Sequence, residues 1–148
     1  MTLPVGRLLF PALRWSPATG FSHESRTIER ALAFGAGGFV LFGGTPAAVG
    51  GLTRELTARA GRPLLFAADL ERGAGQQFEG YTEFPPPAAL AALGDATAIA
   101  EAAGTTAAEA ARVGVRWILG PVADLDVEPR NPIVQTRAFS ADPTRTSA

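Results

Sequence analysis

Two groups of ionisable side chains stand out by type and spacing. The first, Asp69-Leu70-Glu71-Arg72, directly follows the apolar run Pro63–Ala68. A carboxylate at the end of such a run, aimed out of a sheet, can accept hydrogen bonds from substrate hydroxyls. The plainer reading is that Asp69 caps its loop or pairs with Arg72, since structural ion pairs occupy such places too. The second group is Asp124, Asp126, Glu128 and Arg130, after the run Val115–Leu119. Asp124 and Asp126 would share a side if a strand continued through them. Paired carboxylates of this kind do general acid–base work or hold a hard cation. Spacing alone favours the simpler alternative, a solvated acidic loop satisfied by Arg130. Further on, Asn131–Phe139 is a polar loop with one guanidinium, Arg137. Its fork of donors can grip a carboxylate or sugar oxygens, or tie a loop carbonyl.

Other motifs carry less chemistry. Gly35-Ala36-Gly37-Gly38 and Gly43-Gly44-Thr45 match neither G-x-G-x-x-G nor G-x-x-x-x-G-K-[ST], so they read as turns rather than phosphate cradles. His23 stands alone near a helix start and reads as a surface or cap residue. Phe10, Phe39, Phe42, Phe66 and Trp117 fall in strand runs and read as core. With no cysteine, the chain has no disulfide scaffold, thiolate zinc site or thiol nucleophile.

The elements that must position these residues alternate. Apolar runs at Arg7–Leu13, Gly38–Phe42, Pro63–Ala68 and Val115–Leu119 read as strands, the middle two continuously apolar as if covered on both faces. Between them lie three helices. One runs from a cap at Ser22 or Ser25 to about Phe34, with Ile28, Ala31 and Leu32 on one face and Gly35 and Gly37 ending it. The next opens at Thr45-Pro46, carries Val49, Leu52 and Leu56, and stops before Gly61. The third, Ala-rich, is capped by Asp95 and runs to about Val113; Gly104 inside it either weakens it or admits another element. The order β-α-β-α-β-loop-α-β predicts an α/β fold with a parallel sheet. Glu71–Gly94 and Ala123–Ala148 are long connections after strand ends, where parallel folds place their sites.

At 148 residues the chain allows one domain, and its 47% apolar content suffices for a core. The balance of 13 basic against 14 acidic side chains gives no field for nucleic acid or an anionic membrane. No stretch reaches the roughly 18 apolar residues of a membrane span. The run Leu8-Leu9-Phe10, followed at once by Pro11 and Arg14, makes a poor signal peptide, so the expectation is cytoplasmic. Four strands do not close an eight-stranded barrel, which takes about 250 residues. The chain is either a small open sheet or the front half of something larger.

Four stretches in series resemble the N-terminal part of glycoside hydrolase family 3, most of all its bacterial β-N-acetylglucosaminidase-like branch. They are Gly38–Phe42, Leu64–Phe78 (LLFAADLERGAGQQF), Gly114–Asp124 (GVRWILGPVAD) and Asn131–Pro143 (NPIVQTRAFSADP). The resemblance implies that residues 1–148 are a partial N-terminal domain, the first half of a TIM-type (β/α)8 barrel with its site at the C-terminal strand ends. It implies a saccharide substrate, no cofactor, and hydrolysis of a terminal β-linked N-acetylglucosamine with retention, with β-glucosides as the alternative. Asp69 matches an aspartate that binds sugar hydroxyls, Arg137 an arginine that contacts the same sugar, and Asp124 a position in the fourth-strand motif. Two positions depart: Gln77 stands where the branch often has a second sugar-binding arginine, and Arg72 where a glycine is usual.

The same resemblance places the nucleophilic aspartate on a late strand and a histidine acid/base in a K-H-F-P-G-H-type loop. Neither motif occurs in this sequence, and His23 does not match the second. The resemblance therefore transfers sugar-binding residues and no catalytic one, and this chain alone is expected to be inactive. Two other expectations compete: a non-catalytic saccharide-binding module, and a half barrel that self-associates through its open edges.

Overall fold

The computed structural model describes residues 4–147. Strands β1 (Ala12–Arg14), β2 (Gly38–Phe42), β3 (Leu65–Ala68) and β4 (Trp117–Ile118) form one parallel sheet in the order β1-β2-β3-β4. Helices α1 (Ser25–Ala33), α2 (Pro46–Ala60) and α4 (Ala96–Arg112) carry the crossovers, and α3 (Pro87–Ala92) and α5 (Pro143–Thr146) are short additions. The expected α/β alternation is present. No helix among the described residues is long and apolar enough to cross a membrane.

Local signals set most boundaries. The Thr45 hydroxyl accepts from the Ala48 amide, Pro46 takes the first position of α2, and Gly61 ends it at φ 61°. The Asp95 carboxylate accepts from the Thr97 and Ala98 amides at the start of α4. Within α4, Gly104 meets nothing among the described residues, so its effect is to weaken the helix.

Several boundaries differ from expectation. The first run does not form one strand: Val5–Leu8 is a 3-10 turn, and the ladder begins at Pro11, whose carbonyl accepts from the Val40 amide. Neither Ser22 nor Ser25 caps α1. Ser22–Glu24 is a 3-10 turn, the Ser22 hydroxyl donates to the Thr19 carbonyl, and the Glu24 carboxylate accepts instead from the Arg14 amide. The connection Glu71–Gly94 is not plain loop; it contains a 3-10 turn at Ala74–Gln76 and helix α3, with Pro87 at its first position.

Parallel register puts paired residues on the same face. Leu13 and Leu41, Phe39 and Phe66, and Ala68 and Ile118 face the helices. There they meet Ile28 and Ala31 of α1, Val49, Leu52 and Leu56 of α2, and Ala110 of α4. The Phe39 and Phe66 rings stack 6.3 Å apart. Each fully buried Phe, Leu, Ile or Val among them contributes about 1.5–3 kcal/mol by burial. Thr53 of α2 is polar yet buried: its hydroxyl donates to the Val113 carbonyl at 2.8 Å and ties α2 to the end of α4.

Within residues 4–147 the opposite face is only partly covered: Ala67 is fully buried, and Ala12 and Val40 are partly so. Ala12, Val40, Ala67 and Trp117 form one row there. Leu65 and Trp117 remain 38% and 42% exposed. Trp117 meets Phe10 edge-on at 5.4 Å, and Arg14 lies over the Phe42 ring at 4.6 Å. Phe39 and Phe66 are core as expected, whereas Phe10, Phe42 and Trp117 belong to this partly covered face. The physical reason is the alternation itself, since the helices cover only the other set of side chains.

Candidate saccharide site

The β3 end opens directly into the first candidate group. Asp69 is half-buried one residue past the strand, and among the described residues its carboxylate has no hydrogen-bond or ion-pair partner. The simple pairing with Arg72 is not formed: Arg72 reaches Glu83 at 3.3 Å instead. The loop that follows is fastened at several points. Gln77 accepts from the Gly43 amide at the β2 end, and Gln76 accepts from the Arg72 amide. Thr82 donates its amide and its hydroxyl to the two oxygens of Glu109 on α4. Phe78 is completely buried beneath. At Gly73 the backbone takes φ 90°, ψ 166°, a region open essentially to glycine, and a side chain there would run into the Thr82 carbonyl.

Arg137 arrives from the other long connection, on a 3-10 turn at Gln135–Arg137. The buried Ala138 anchors that turn. Its guanidinium meets Glu71 in a two-pronged pair: Nε donates to Oε2 at 2.9 Å and Nη2 to Oε1 at 2.8 Å. Nη1 donates to the Ile133 carbonyl at 3.1 Å. The Glu71 side chain is 10% exposed and that of Arg137 45%. Hydrogen bonding to Glu71, then its charge, raises the Arg137 pKa above the usual arginine value, and the charges of Asp69 and Asp124 add to the effect. The Glu71 pair thus ties the Arg137 turn to the loop that follows β3, and the charges of Asp69 and Asp124 are felt at the guanidinium.

The second acidic group divides. The β4 ladder stops at Ile118 and the chain is irregular from there, so Asp124 and Asp126 do not share a strand face as expected. Asp124 is exposed and its charge helps to raise the Arg137 pKa, while the Asp126 backbone amide donates to the Ser140 carbonyl. Glu128 pairs with Arg130 at 3.0 Å on the surface, and hydrogen bonding from Arg130 lowers its pKa. This part of the loop is the solvated, self-satisfied acidic stretch. His23 shares a hydrogen bond with Thr19 at 2.9 Å, a surface role. Among the described residues no three His, Cys, Asp or Glu side chains gather closely enough to hold a metal ion.

Glu71 is the residue that sequence reasoning left without a role. The available signal was its spacing two residues after Asp69; its partner lies 66 residues away. A cavity of about 360 Å³ adjoins it, lined by Leu90, Ile99, Ala103, Ile118 and Phe139. The cavity is apolar and is not lined by Asp69, Asp124 or Arg137, so it has the wrong chemistry for sugar hydroxyls.

Comparisons with known proteins agree with this fold. Residues 46–148 match the model of the glycosyl hydrolase family 3 N-terminal domain. A β-N-acetylglucosaminidase/β-glucosidase from Cellulomonas fimi is 38% identical over 112 residues, covering 76% of this chain and 20% of that protein. Among solved structures, a β-glucoside phosphorylase bound to 2FGlc superposes with a TM-score of 0.85 at 26% identity, covering 97% of this chain and 25% of the other. A family 3 β-N-acetylglucosaminidase from Paenibacillus sp. str. FPU-7 does so with a TM-score of 0.78 at 26% identity, covering 99% and 29%. The chain spans about a fifth of the length of the Cellulomonas relative and about a quarter of the structural neighbour that superposes best of these. The four parallel strands correspond to part of a barrel of this type, and the chain belongs to glycosyl hydrolase family 3.

Proposed function

We propose that Asp69 and Arg137, with Asp124 beside them, bind the terminal sugar of a β-linked glycoside. The activity they serve is retaining hydrolysis of terminal β-N-acetylglucosaminides, with β-glucosides as the alternative. The observation that supports this reading is the two-pronged Glu71–Arg137 pair, which holds Arg137, from the connection after β4, against the β3 loop that begins at Asp69. A carboxylate and a guanidinium on loops tied to one another offer acceptors and donors to ring hydroxyls. The names of the relatives support the sugar class.

The isolated chain binds but does not turn over. Retaining hydrolysis takes a nucleophile and an acid/base about 5–5.5 Å apart across the scissile bond. Of the carboxylates in these two loops, Glu71 is committed to Arg137, and the single histidine, His23, hydrogen-bonds Thr19 in the loop after β1.

The test is hydrolysis of a chromogenic β-N-acetylglucosaminide by the purified chain beside Asp69→Ala, with and without inorganic phosphate because one structural neighbour is a phosphorylase. The expected result is no turnover in either protein, with N-acetylglucosamine binding that the substitution abolishes. Turnover lost in Asp69→Ala would overturn the inactive reading and make Asp124 the first suspect as a catalytic group.

A further inference from the structure

We propose that Glu71 is the positioning residue of this site: it aims Arg137 and cancels its charge, so that the site takes neutral sugars and turns away anionic ones such as uronates. The inference rests on the reading of Asp69 and Arg137 as sugar-binding residues.

The geometry is specific. Both Glu71 oxygens are engaged by Arg137, and the carboxylate is nearly buried while the guanidinium is half exposed. A pair of parallel bonds fixes the guanidinium plane as well as its position. Arginine carries five N–H groups. Glu71 takes one on Nε and one on Nη2, and the Ile133 carbonyl takes one on Nη1. One N–H on each terminal nitrogen is left for a ligand. Among the described residues, the hydrogen bonds of segment 121–147 otherwise stay within that segment. The Glu71 pair is therefore the hydrogen-bonded link that registers Arg137 against the β3 loop.

The charges give the selectivity. With Glu71 balancing Arg137, the unbalanced groups nearby are the carboxylates Asp69 and Asp124. They accept hydrogen bonds from hydroxyls and repel a sugar carboxylate. Removing the Glu71 charge frees the Arg137 charge for an anion. A residue that merely held the loop together would, when lost, weaken neutral and anionic sugars alike.

The experiment titrates N-acetylglucosamine and glucuronate separately into the full chain, isotopically labelled, and reads affinity from amide shifts. It compares the parent with Glu71→Gln, Arg137→Ala and the double variant, with thermal melts as the folding check. Expected for Glu71→Gln is an affinity loss of about tenfold for N-acetylglucosamine, the order of one charge-assisted hydrogen bond. The glucuronate-to-N-acetylglucosamine ratio should rise about three- to tenfold, the modest size appropriate to a half-exposed charge. In the Arg137→Ala background the second substitution should add nothing.

Unchanged affinities, an unchanged ratio, or full additivity in the double variant overturns the Glu71 inference while leaving the saccharide reading intact. Binding of neither sugar by the parent overturns both. Where Glu71→Gln fails to fold, Arg137→Lys serves: it keeps the charge but not the bidentate plane. It should lose about tenfold for N-acetylglucosamine, one charge-assisted bond again, with the neutral preference kept. Undiminished binding by that variant overturns the inference.

Discussion

Two glycine-to-alanine substitutions should move stability in opposite directions, and only one should disturb the sugar site. Gly73 lies two residues after Glu71 at φ 90°, ψ 166°. For an L residue that conformation costs on the order of 1–3 kcal/mol. The added methyl would also press on the Thr82 carbonyl, which accepts from the Gly75 amide. Together the destabilisation is about 2–4 kcal/mol, adding the loss of one hydrogen bond to the backbone strain. For a domain of this size that lowers Tm by roughly 5–12 °C. Gly104 sits exposed inside α4 with open space around it. Alanine there gains about 1 kcal/mol of helix propensity and raises Tm by about 2–4 °C. Circular-dichroism melts of both variants, read beside N-acetylglucosamine binding, make the test. Gly73→Ala should weaken binding because it displaces the backbone that carries Glu71, and Gly104→Ala should leave binding unchanged. A Gly73→Ala variant that melts with the parent, or a Gly104→Ala variant that melts below it, would refute the reasoning from backbone conformation.

Two further outcomes follow from the packing. Thr53→Val keeps the side-chain volume but leaves the Val113 carbonyl without its 2.8 Å donor, so it should destabilise by about 1–2 kcal/mol; a Tm equal to the parent's in a calorimetric scan would mean that the α2–α4 tie contributes nothing. Trp117 is 42% exposed on the open face, so acrylamide should quench its emission in a Trp15→Phe background, and that quenching should stay constant with protein concentration unless copies cover one another's open faces. Quenching that falls as concentration rises, together with a dimer peak in sedimentation, would establish self-association through that face.

The legible part of the fold is the part written in short-range chemistry. The run Gly38–Phe42 becomes β2 with the same bounds, and the signals at Thr45-Pro46, Gly61 and Asp95 each sit at a helix end because each satisfies or terminates backbone groups locally. Helix α3 was missed because Pro85-Pro86-Pro87 reads as a breaker, although a proline is well suited to a first helical position and Pro87 takes it. The open face was not legible for a different reason. A continuously apolar strand has the same composition whether its second face is covered or not, so Leu65 reads in sequence like its neighbour Phe66. The site was half legible. Asp69 and Arg137 are proposed from type and motif, but no spacing rule joins Glu71 to a residue 66 positions away.

That last link explains how such short strands hold a site in place. β3 and β4 contain four and two residues, too little ladder to fix the loops beyond them. The loops are fixed instead by side chains that reach backbone groups or distant partners: Gln77 to Gly43, Gln76 to Arg72, Glu109 to Thr82, and Glu71 to Arg137. Gln77 is informative here, because it stands where the resemblance led one to expect a second sugar-binding arginine, and its oxygen is occupied by the Gly43 amide. The side chain at this position serves here as a clasp between the β2 and β3 ends. Preorganisation in this chain therefore resides in the clasps rather than in the sheet. Substitutions at the clasps should loosen sugar binding more than they lower global stability, and substitutions in the Phe39–Phe66 layer should do the reverse.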